Sequence, residues 1–119
     1  MSVADSIDVV ESGYEYLLAF AAQGREPELD ENSPGPLVRD TLVNMQTAMS
    51  DIAIYLDREC SGMEFATVVT KDLRKGRATL QFVIDQARIG SEIIDNLNAS
   101  IHLRTVLTDL FLIGESLGN

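Results

Sequence analysis

The sequence predicts an all-α protein, an up-down four-helix bundle with left-handed, heptad-type packing. Three observations carry that expectation. From Ala66 to Ile101 an apolar residue or glycine recurs at alternating steps of three and four: Ala66, Val69, Leu73, Gly76, Leu80, Val83, Ala87, Gly90, Ile94, Leu97, Ile101. That is the seam by which helices supercoil around one another, and a strand with its period of two does not produce it. The same spacing recurs on both sides of this stretch, in residues 3–21, 38–56 and 103–117. Finally, all three prolines, Pro27, Pro34 and Pro36, fall in one short stretch, so everything from Leu37 onward can be helical without a forced break.

Helix one is expected over about residues 3–23, with Val3, Ile7, Val10, Tyr14, Leu17 and Ala21 as its apolar stripe. Asp5, Asp8, Glu11, Ser12 and Glu15 fill much of the opposite side. Residues 24–36 form the one clear loop, acidic and almost free of apolar side chains. Ser33 can cap a second helix whose first turn accepts Pro34 or Pro36, because a proline there loses no internal hydrogen bond. Val38, Leu42, Met45, Met49, Ile52 and Leu56 carry that helix to about Glu59.

Ser61 followed by Glu64 reads as a capping box, so a third helix begins near Gly62. Its length turns on Gly76. Lys71, Arg74 and Lys75 just before Gly76 resemble a last turn with a left-handed cap. The heptad nevertheless keeps phase across Gly76, which favours one long helix, bent near Gly76 if at all, running to about Leu97 and reaching roughly 50 Å at 1.5 Å per residue. Asn96, Leu97, Asn98, Ala99 and Ser100 gather residues that suit caps better than helix interiors, and mark the final break. Leu103, Val106, Leu110, Ile113 and Leu117 supply the last stripe, with Gly114 and Gly118 at a fraying end.

At 119 residues the chain is expected to fold as one domain over 1–119, broken only by the loop at about 24–36. Hydrophobic residues make up 45 %, enough for a core without disulfides or metals. Cys60 is the only cysteine, which excludes an internal disulfide and fits a reducing compartment. The first residues carry neither a positive region nor a long apolar run. The greasiest segment, residues 101–113, is interrupted by His102, Arg104 and Asp109 and falls short of a membrane span. A cytoplasmic protein is therefore expected. Its net charge of −10 repels nucleic acid and anionic lipid, so neither is expected as a partner.

Few residues carry chemistry. A di-iron bundle needs inward glutamates and Glu-x-x-His turns, but the residue three before the only histidine, His102, is Ala99. A phosphoacceptor role for His102 lacks the companion residues, and Cys60 has no base to complete a nucleophilic pair. No catalytic, metal-binding or cofactor-binding residue is assigned, and no cofactor is expected.

Two features remain. Lys71, Arg74, Lys75 and Arg77 put four of the nine cations within seven residues, a candidate dock for an anionic ligand or an acidic partner segment. The stripes also leave large apolar residues over, and Phe82, Ile89, Ile93, Leu107 and Phe111 are candidates to line a groove for a partner helix. Acidic surface around such a groove would favour a basic partner segment. The function expected is therefore a non-catalytic helical-bundle protein mediating protein–protein interaction as adaptor, regulator or dedicated chaperone, and a homodimer. The alternative is a small-ligand-binding or enzymatic bundle whose 71–77 cations hold an anionic ligand.

Overall fold

A computed structural model describes residues 2–24 and 37–117. They form α1 (Val3–Ala22), α2 (Val38–Glu59), α3 (Glu64–Ile84), α4 (Ser91–Ala99) and α5 (Ile101–Leu117). No strand occurs among the described residues, so the chain is all-helical there, as the three-four spacing predicts. The expected loop and its Ser33 cap lie at residues 25–36, outside the described residues.

Each helix buries the stripe that its spacing marks. On α1, Ile7, Val10 and Leu17 turn inward, joined by Gly13 and Phe20. Its start is fixed by a capping box the sequence reading did not single out. The Asp5 amide donates to Ser2 Oγ at 3.1 Å, and the Ser2 amide donates to Asp5 Oδ2 at 3.3 Å. Along α2, Val38, Leu42, Met45, Met49, Ile52 and Leu56 are all buried. α1 packs on α2, α4 and α5, while α3 lies between α2 and α5.

Two expectations about α3 need correction. The Ser61–Glu64 capping box does not form: Met63 is the N-cap residue, without a side-chain cap bond, and its amide closes a turn onto the Cys60 carbonyl at 2.9 Å. The helix passes straight through Gly76, as the unbroken heptad phase implies, but stops at Ile84 rather than near Leu97. The reason is Ile89. In a continuous helix it would point away from the seam, whereas the turn at residues 85–90 brings it into the core with no exposed surface. Arg39 on α2 steadies that turn, its guanidinium donating to the carbonyls of Ile84 and Gln86. Of the ladder's later rungs Ile94 and Leu97 are buried, on α4, while Ala87 and Ile101 are exposed.

The final break falls within the predicted tract, at Ser100, whose backbone is extended (φ −63°, ψ 131°). Ser100 Oγ accepts from the His102 amide at 3.2 Å, which starts α5. Asn98 pins the short α4 to α1 by donating from Nδ2 to the Leu17 carbonyl at 3.1 Å.

Two glycines sit where helices come closest. A Cβ on Gly76 would lie 2.7 Å from Val106 Cγ2, so α5 approaches α3 nearer than any side chain there would allow. A Cβ on Gly13 would lie 2.6 Å from Met45 Sδ, which marks a similar approach of α2 to α1. Gly76 is therefore part of the seam and not a cap.

Candidate functional site

The cations 71–77 lie mid-helix on α3, all exposed, and not at a helix end. Complementing the helix dipole thus cannot explain them, because that effect fades beyond the last turn. Lys71 and Lys75 belong to an outward stripe at helical spacing that also holds Val68, Ala78 and Phe82. Arg77 is on the side that meets α2, where its carbonyl accepts from Gln46 Nε2 at 3.1 Å. Among the described residues none of the four side chains makes an ion pair or a hydrogen bond. Val68 and Phe82 are exposed by 45 % and 65 %.

The neighbouring face of α5 exposes Ile101 and Leu112. Asp109 meets Asp72, while Val106 and the His102 carbonyl meet Gly76, so residue numbers fall on α5 as they rise on α3. Val68 consequently lies toward the Leu112 end of the pair and Phe82 toward the Ile101 end. The surface is apolar at both ends, with Lys71 and Lys75 between.

The side chains expected to line one groove are not brought together as an open surface. Ile89 and Leu107 are in the core, because the chain break and the α5 stripe turn them inward. Ile93 is half-buried; Phe82 and Phe111 are exposed on different parts of the surface. Phe111 instead stands beside a cleft of about 270 Å³ in which Ile7, Asp8 and Glu11 of α1 face Leu110 and Glu115 of α5. Burial holds the Glu11 carboxyl above its ordinary value, and the charges of Asp8 and Glu15 push it the same way. A second concavity, about 420 Å³, lies where Val3 and Ser6 meet Ile54, Tyr55 and Arg58 of α2. The only sequence signal for it was Ile54, an apolar residue off the α2 stripe.

The sequence reading also missed a carboxyl pair. Asp109 is 7 % exposed, its Oδ2 has no hydrogen-bond partner, and its carboxyl group lies beside that of Asp72 on α3. Burial foremost, then the neighbouring Asp72 carboxyl, pushes Asp109 from 3.8 up to about 7. The signal available was position: Asp72 immediately precedes the seam residue Leu73, and Asp109 immediately precedes Leu110.

His102 is exposed and Cys60 half-buried. No group of three or more His, Cys, Asp or Glu side chains that could hold a metal occurs among the described residues, and no described helix is long and apolar enough to cross a membrane. No protein-family model, no curated protein and no solved structure matches the chain, so its own geometry carries the functional reading.

Proposed function

We propose that the chain is a non-catalytic interaction module, working in the cytoplasm as an adaptor, regulator or dedicated chaperone for another protein. The four long helices are taken as an up-down bundle with heptad-type packing, and α4 as a short insertion between α3 and α5. The observation that carries the reading is the outer stripe of α3, where two unpaired lysines lie between exposed Val68 and Phe82. Those apolar side chains are 14 residues apart, about 21 Å of helix. The matching partner is an amphipathic helix with carboxylates between apolar anchors, since helix-on-helix docking uses such spaced contacts and charge complementarity fixes the register. This replaces the expected basic partner segment, because the core has absorbed Ile89 and Leu107.

A homodimer remains part of the proposal, formed away from this face. A two-fold axis through it would set Lys71 and Lys75 against their own copies, and like-charge contacts oppose association. A second reading, a small anionic ligand held by Lys71, Arg74, Lys75 and Arg77, draws on their lying within two turns without ion pairs.

Affinity capture with the wild-type chain, Phe82→Glu, Lys71→Glu with Lys75→Glu, and Ile54→Glu as a control tests the first reading. Proteins held by wild type and by the control but lost from the other two variants support it; an unchanged partner set in all four rejects it. The second reading predicts a rise in melting temperature with phosphorylated metabolites that Lys75→Glu abolishes.

A further inference from the structure

α3 and α5 close on one another through carboxyl groups as well as hydrocarbon. Asp109 of α5 is nine-tenths buried, one of its oxygens is without a partner, and its carboxyl group meets that of half-buried Asp72. Two ionised carboxylates side by side in a seam repel each other and have no donor between them. Among the described residues no cation pairs with Asp109, so a proton held between the two carboxyl groups is what lets them meet. One turn along, Val106 fills the space that Gly76 leaves, so the two helices are already at close approach beside the pair. We propose that Asp72 and Asp109 share a single proton that clamps α3 to α5, so that the seam between these helices is closed while the proton is held and loosens when it leaves.

The surroundings leave the proton as the means of holding the pair. From α3, Lys71 and Lys75 flank Asp72 in sequence but turn outward into solvent. On α5 itself, His102, Arg104 and Glu115 are exposed. α1 brings Asp8 and Glu11 to another flank of α5, beside Leu110 and Phe111. α4 contributes Glu92 and Asp95, both exposed. Among the described residues none of these groups forms an ion pair with Asp109, and the charged group beside it is Asp72. Loss of the proton therefore leaves a buried carboxylate, with one bare oxygen, against a second carboxylate, an arrangement that favours separation of the helices.

Carboxyl-carbon NMR of the full chain from pH 4 to 9, with Val106 methyl signals followed in the same samples, tests this. The Asp109 signal is expected to move near pH 7. In Asp72→Asn, whose amide can donate to an ionised Asp109, the midpoint is expected to fall by about one unit or more. The Val106 methyl signals should shift or broaden with the same midpoint in wild type and stay unchanged across that range in Asp109→Asn. An Asp109 midpoint in the ordinary carboxyl range, or one that Asp72→Asn leaves in place, overturns the shared proton. Val106 methyl signals indifferent to pH in the wild-type chain overturn the clamp.

Discussion

At the crossing of α1 and α2, Gly13 lies against Met45; at the crossing of α3 and α5, Gly76 lies against Val106. Both glycines are buried seam residues that let a second helix come close. The partners differ in what they can absorb. Met45 has three side-chain torsions and a polarisable thioether that can be displaced, whereas Val106 is branched at Cβ and held to few rotamers. The second crossing also carries Asp72 and Asp109 a turn away, while the buried neighbours Leu42, Met45 and Met49 on α2 are apolar. One packing device thus meets a yielding, apolar neighbour at one crossing, and at the other a stiff neighbour beside two carboxyl groups.

The largest break in that comparison comes from Gly76→Leu, whose side chain has no room against Val106. It should cost about 3 kcal/mol or more in urea unfolding, at the upper end of overpacking. Val106→Ala in a Gly76→Ala background sharpens the point. The smaller neighbour should recover part of what the added methyl loses, giving a coupling of about 1 kcal/mol in a double-mutant cycle. Gly13→Ala should cost less than Gly76→Ala, because Met45 can yield and the gain in helix propensity, up to about 1 kcal/mol, offsets the strain.

Next in size is the pH dependence, with Asp109 as its source. Its carboxyl group is raised in the folded state, from 3.8 up to about 7, so the folded chain holds a proton that the unfolded chain has released. Below the lower value both states are protonated and the contribution to stability is fully present. It drains as pH rises toward about 7 and is gone above. Glu11, also raised, adds a change of the same sign from the α1–α5 cleft. Asp109→Asn removes the largest source and should flatten the profile, as read by thermal melts from pH 4 to 8.

Arg39→Ala should cost about 2 kcal/mol at any pH in that range, since it removes charge-assisted hydrogen bonds to the carbonyls of Ile84 and Gln86 at the end of α3. The smallest effect is expected from Gly114→Ala. A Cβ there would meet Ile7 Cδ1 at 3.6 Å, ordinary contact, so melting should stay within about 0.5 kcal/mol of wild type or improve.

The same contrast explains what could be read in advance. The rungs Ala66 to Val83 were legible because a seam is a local property of one helix, and Gly76 belonged to it by phase. The stop at Ile84 was not, because it depends on burying Ile89 and on Arg39, which reaches over from α2. Phe82 and Ile89 share one side of a continuous helix, yet the turn between them leaves one exposed and the other in the core. Ser61 and Glu64 have the spacing of a capping box, but the Cys60–Met63 turn takes the chain first. Asp109 read as an interruption of an apolar run, since nothing local to α5 announces a carboxyl partner on α3. The cations were legible as a cluster, but their outward placement required the helix to be continuous.

The most direct measurement is urea unfolding of wild type and Asp109→Asn at pH 5 and at pH 8. Asp109 is raised from 3.8 to about 7, so wild type loses stability between pH 5 and about pH 7 while the variant does not, and the variant should gain on wild type by about 2–3 kcal/mol from pH 5 to pH 8. A stability difference that is the same at both pH values would contradict a seam whose closure depends on that proton.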